Sequence, residues 1–260
     1  MKKLNGPMIV FIVIAIIFYN IFDGEEVTEF ETIEFSSEQN NLVSYSQRGV
    51  DNTWPPMETG TSQVSDNLMA KNYYLVVDGS GSMRDSGCSN GKEKLQVAKQ
   101  ALGSFVDKLP SDANIGVFAF DNNGRGERLA LGKHGTGDIK RAINSINAGG
   151  GTPLSQGIEA GTAVLTKQAK QQLGYGEYNL VVVTDGEASN NYEPDNAVRQ
   201  LLAGSPIVLH TIGFCIDDRH SLNQPGYTLY KAANNPEALL AGLESVLAEA
   251  PDFQIADFGQ

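Results

Sequence analysis

Residues 73–82 read YYLVVDGSGS, a five-residue apolar run that breaks abruptly into Asp78-Gly79-Ser80-Gly81-Ser82. A continuous run of this kind, without the alternation of a half-exposed strand, marks a strand buried on both faces of a sheet. A second run, LVVV at 180–183, breaks in the same way, into Thr184-Asp185-Gly186. Ligands of open α/β sheets bind beyond the carboxyl ends of the strands, so if these two strands are neighbours, Asp78 and Asp185 face one crevice.

Outward from this pair, short β-rich runs alternate with longer helical ones. The spacing predicts strands over 73–77, 115–120, 128–131, 180–184 and 207–213, with a further strand through 227–230. It predicts helices over 92–109, 138–147, 155–173, 196–202 and 236–249. The fold class is therefore α/β, a doubly wound, mostly parallel central sheet with helices on both faces. The chain has 260 residues, 41% of them hydrophobic, enough for one well-filled domain.

The chemistry lies in the loops. Asp78, Ser80 and Ser82 alternate, so they point the same way, and Gly79 and Gly81 let the backbone turn tightly enough for the three side chains to converge. All three are oxygen donors, which hard divalent cations prefer. His134, His210 and His220 show no ligand spacing, and His210 within an apolar strand reads as a core residue. Taken singly, Asp78 and Asp185 are equally readable as turn or cap residues. Thr152, before Pro153, has the alternative role of a helix N-cap.

The DxSxS loop resembles that of von Willebrand factor A-type domains, a fold shared by integrin inserted domains. Two further segments carry the resemblance: Thr152 in GGGTPL and Asp185 in VVVTDGE. It extends over residues 72–249 and implies a metal-ion-dependent adhesion site. Ser80 and Ser82 would ligate the ion directly, Asp78 and Asp185 through ordered waters, and Thr152 in the ligand-bound form. The implied ion is Mg²⁺, with Mn²⁺ or Ca²⁺ as alternatives. Hydroxyls near the ion, with carboxylates one water away, leave its charge incompletely neutralised, so a Glu or Asp side chain of a protein partner would complete it.

The first 71 residues differ in character. Residues 8–22 (MIVFIVIAIIFYNIF) carry no charge and follow Lys2 and Lys3. Residues 1–23 therefore read as an uncleaved signal anchor, with a cleaved signal peptide as the alternative. The anchor reading implies a single-pass cell-membrane protein whose domain faces the periplasm or the exterior. Residues 24–71 read as an acidic, polar linker, in which 27–35 (VTEFETIEF) alternates like a short strand, and 250–260 as a C-terminal tail. Cys88 and Cys215 fall near the same sheet edge and form a candidate disulfide, with two free thiols as the alternative.

Charge and motifs exclude other functions. Nineteen basic residues against 31 acidic ones, a net of −12, oppose nucleic-acid binding. No G-x-S-x-G elbow or phosphate-binding G-x-x-x-x-G-K-[ST] occurs, and Arg84 is the one cation evident in the metal loops. A metal-dependent protein-binding module is thus favoured over a metal-assisted hydrolase or phosphotransferase, and over a structural domain with an incidental ion.

Overall fold

The computed structural model describes residues 54–56, 63–216 and 219–248. Six strands form one mixed sheet: β1 (Lys71–Asp78), β2 (Asn114–Asp121), β3 (Gly124–Gly132), β4 (Glu177–Thr184), β5 (Val208–Phe214) and β6 (Leu229–Ala233), in the order β3-β2-β1-β4-β5-β6. All neighbours are parallel except the β2–β3 hairpin at one edge. Five helices cover the faces: α1 (Lys94–Val106), α2 (Thr136–Asn144), α3 (Leu154–Gln171), α4 (Asp195–Gly204) and α5 (Pro236–Ala248).

Period-two alternation divides β1 between two cores. Tyr73, Leu75 and Val77 face α1, α2 and α5, while Tyr74 and Val76 face α3 and α4. Burial on both sides is why these strands are apolar throughout. The α3 helix lies close on the sheet because Gly157 and Gly161 offer no side chain. A Cβ at those positions would stand 2.7 Å from Val76 Cγ1 and 2.3 Å from Leu180 Cδ1.

Some boundaries differ from the sequence reading for identifiable reasons. The third strand begins at Gly124 rather than at 128, because hairpin pairing from Asp121↔Gly124 onward holds residues whose glycines hide the pattern. The sixth begins at Leu229, because Thr228 is bound into the preceding turn, its Oγ1 donating to the Leu222 carbonyl at 2.6 Å. Pro153 itself occupies the cap position of α3, which has no side-chain cap bond, so Thr152 does not serve as the N-cap.

Part of the stretch read as linker packs on the domain. Trp54 meets Tyr178 edge-to-face at 5.1 Å, and Gln172 Nε2 donates to the carbonyls of Leu68 and Ala70. Among the described residues no helix is long and apolar enough to cross a membrane. The anchor at 8–22, the alternating segment at 27–35 and the tail at 250–260 lie outside the described residues.

Candidate functional site

The site forms where β1 and β4 end side by side. Their register pairs Val77 with Val183, which sets Asp78 against Thr184 and carries Asp185 just beyond the sheet. Thr184 Oγ1 donates to Asp78 Oδ2 at 2.5 Å, and the Ser80 amide donates to Asp78 Oδ1 at 2.7 Å. Asp78 thereby fixes the glycine loop to the neighbouring strand. Its side chain is fully buried, and burial pushes its carboxyl up to about 6 against the lowering effect of these bonds.

From that anchor the loop presents its hydroxyls. Ser80 Oγ lies 3.0 Å from Ser82 Oγ, and Ser82 Oγ donates to Asp185 Oδ1 at 2.7 Å. For metal–oxygen distances of about 2.0–2.1 Å, neighbouring oxygens of an octahedron stand about 2.9 Å apart. The Ser80 and Ser82 hydroxyls therefore have both the chemistry and the spacing of neighbouring ligands in an octahedral cation site. Among the described residues no group of three or more His, Cys, Asp or Glu side chains converges.

Backbone bonds knit the other loops to this one. The Gly149 amide donates to Gly79 O at 2.8 Å, and the Gly81 amide to Gly150 O at 3.0 Å. This close approach requires glycine: a Cβ on Gly79 would lie 2.7 Å from both Asp121 Cβ and Ile146 Cγ2. Thr152 is joined to the third loop rather than to the serines. Its amide donates to Ser189 Oγ at 2.9 Å, and its carbonyl accepts from the Ser189 amide at 3.0 Å. Thus Ser80, Ser82 and Asp185 form one hydrogen-bonded string, Asp78 anchors it, and Thr152 stands beside it. A cleft of about 250 Å³ opens next to Thr152, between Phe120, Arg125, Pro153 and Tyr192. A larger cavity of about 520 Å³ lies away from this edge, between α1 and α2.

Lys94 was missed in sequence. Its ammonium, on the first residue of α1, lies 2.8 Å from Asp185 Oδ2, with side-chain exposures of 11% and 0% for the two partners. Arg84, the one cation evident in the loops from sequence, donates to the Ala148 carbonyl at 2.6 Å. The available signal was helical spacing, since Lys94 shares a face with the buried Ala98, Ala101 and Phe105.

Two further features frame the site. Cys88 and Cys215 are joined as a disulfide, with Cα atoms 5.8 Å apart, tying the loop after Ser82 to the end of β5. Buried Asp121 pairs with Arg128 at 2.9 Å and accepts from the amides of Asn123 and Asn147, bracing the loop under Gly79. His210 is buried in β5 next to Asn179 Oδ1, and burial, aided by Lys231, pushes its imidazole down to about 4.

Comparison with known proteins places the fold. The family model described as von Willebrand factor type A domain matches residues 72–254. The uncharacterized protein sll0103 of Synechocystis sp. is 26% identical over 151 residues, which is 57% of this chain and 33% of that protein. This chain thus matches only about a third of that relative's length. The pilus adhesin SpaC of Lactobacillus rhamnosus GG superposes with a TM-score of 0.54 at 18% identity, covering 71% of this chain and 31% of SpaC. Proximal thread matrix protein 1 of the mussel byssus, in a structure with a zinc-occupied MIDAS motif, superposes with a TM-score of 0.57 at 17% identity, covering 72% and 48%. At these identities the structural likenesses show the fold.

Proposed function

Because this chain belongs to the von Willebrand factor type A domain family, we propose that it is a metal-dependent protein-binding module, used for adhesion or assembly. The observation that carries the reading is the string Ser80–Ser82–Asp185, with oxygens 3.0 and 2.7 Å apart at the carboxyl edge of a buried sheet. In this reading Ser80 and Ser82 ligate a divalent cation through their hydroxyls, Asp78 and Asp185 act through water, and Thr152 joins when a partner is bound. The cation is Mg²⁺ in the first instance, with Mn²⁺ or Ca²⁺ as substitutes, and the partner is a protein that offers a Glu or Asp carboxylate. Such a site binds rather than transforms: the ion's role is to hold an anionic oxygen. Residues 8–22 tether the module to the membrane as a signal anchor, with the domain on the periplasmic or extracellular side.

Calorimetric titration of Mg²⁺ and Mn²⁺ into the protein tests this, alongside Asp78→Ala and Ser82→Ala. Saturable binding to the wild type, abolished in both variants while their folds persist, is the expected result. A folded wild type that binds neither ion, or variants that bind as well as it does, would overturn the reading.

A further inference from the structure

The buried charges of the site can be counted. Asp78 and Asp185 contribute two negative charges and Lys94 one positive charge, while Asp121 is cancelled by its own partner, Arg128. An ammonium 2.8 Å from Asp185 Oδ2 leaves one carboxylate charge to balance a divalent cation, not two. Resting on the metal-dependent binding reading above, we propose that Lys94 is the positioning and charge-setting residue that makes the bound ion demand an anion. With Lys94 in place, the occupied site carries a net +1, and one monoanionic carboxylate brings it to neutrality. Without Lys94, the formal charges of the two aspartates would already equal that of the ion, weakening its pull on an anion, and an added carboxylate would leave an excess negative charge in a largely dehydrated site.

Lys94 suits this role by construction. It is held to Asp185 by direct contact and to the metal loop by its backbone, its amide donating to the Asp85 carbonyl at 2.9 Å. The ammonium stays buried on the carboxylate oxygen opposite the one that Ser82 uses, so it neutralises Asp185 without displacing the hydroxyl string. Exposed charges nearby, such as Glu187, are screened by water and enter the count weakly.

The count predicts two effects of opposite sign from one substitution. Lys94→Met removes a like charge from beside the ion, so Mn²⁺ should bind at least tenfold more tightly than to the wild type; a unit charge within one side chain's reach of a divalent ion is worth at least that much at partly buried dielectric. The same substitution should abolish the response to carboxylate. In the wild type, 100 mM acetate in place of chloride at equal ionic strength should raise apparent Mn²⁺ affinity, after correction for acetate's own binding to Mn²⁺. In Lys94→Met it should not, and Lys94→Arg, which keeps the charge, should behave as the wild type.

Unchanged or weaker Mn²⁺ binding by folded Lys94→Met, or an acetate response that survives in it, would overturn the proposal while leaving the binding reading intact. A wild type that binds no Mn²⁺ would instead defeat the reading on which it rests. A measurement on the wild type covers the case in which Lys94→Met fails to fold. The Lys94 ammonium, followed by ¹⁵N NMR, should remain protected from solvent and paired when Mg²⁺ saturates the site. Its release to solvent would overturn the proposal, because Lys94 would then be a plug that the ion displaces.

Discussion

Replacing Asp78 by Asn should stabilise the metal-free protein, although it removes a residue at the centre of the site. Burial raises the Asp78 carboxyl from 3.8 to about 6. At pH 7.5 the folded protein therefore holds an ionised group that the unfolded chain accommodates more easily, a difference of about 3 kcal/mol at 1.36 kcal/mol per unit. Asparagine keeps the geometry: its carbonyl accepts the Ser80 amide, and its amide group donates to the Thr184 hydroxyl, whose single proton turns to the Gly186 carbonyl 3.1 Å away. The sign follows from proton binding. Between pH 3.8 and about 6 the folded wild type binds the proton more tightly than the unfolded chain, so wild-type stability falls as pH rises through that window. The advantage of Asp78→Asn is thus absent at pH 3.5 and complete above pH 7. For a domain of this size it amounts to about 6–12 °C in Tm. Thermal melts in chelator across pH 3.5–8 measure it. In saturating Mg²⁺ the order should narrow or reverse, since only the wild type gains about 2.7 kcal/mol from ligand at one hundred times Kd. A variant less stable than the wild type at pH 7.5 in chelator, or an advantage undiminished at pH 3.5, would refute the reasoning.

Asp185→Asn should lose metal binding equally but have the opposite effect on stability, costing about 3 kcal/mol in chelator melts, because it leaves the buried Lys94 ammonium without its carboxylate. Gly79→Ala should cost about 1–3 kcal/mol in denaturant titrations and weaken Mn²⁺ binding in calorimetry, because its Cβ would press on Asp121 and Ile146, 2.7 Å away, and shift the loop. Replacing Cys88 and Cys215 by Ser should lower unfolding free energy by about 3–5 kcal/mol, the loop-closure contribution of a crosslink 127 residues apart, with reductant producing the same loss in the wild type.

The sheet was legible where burial on both faces enforces an apolar run. β1, β4 and β5 are such strands, buried from their second residue to their last, and sequence alone separates them from the helices that cover them. Edge strands carry less of this signal. β3 is exposed or half-exposed along its whole length, and three of its nine residues are glycine, so only its Arg128–Leu131 portion reads as a strand. β6, at the other edge, is half-buried over most of its length, and its start depends on a side-chain bond from Thr228 to Leu222 that no local pattern encodes. Trp54 resisted reading for a related reason. A polar, proline-containing stretch resembles a linker, and only the fold supplies Tyr178 as a surface against which its ring packs.

The site divides along the same line. Asp78, Ser80 and Ser82 lie within five residues, so the short glycine loop after β1 keeps them together before any tertiary contact is known. Asp185 becomes their neighbour only through the β1–β4 register, which the matching pair of apolar runs suggested. Lys94 was hidden because a lysine at the start of a helix ordinarily reads as solvated. Yet its spacing to Ala98, Ala101 and Phe105 sets it on the buried face of α1. A lysine on such a face is informative, since an unpaired buried ammonium is strongly destabilising and the fold must supply an anion within hydrogen-bonding reach. Because α1 follows the loop that leaves the carboxyl end of β1, its first residue lies at that edge, and the candidates were the carboxylates there. The choice of Asp185 over Asp78 follows from what each already binds, for Asp78 spends both oxygens on Ser80 and Thr184, whereas Asp185 keeps one oxygen for Ser82 and the other for Lys94.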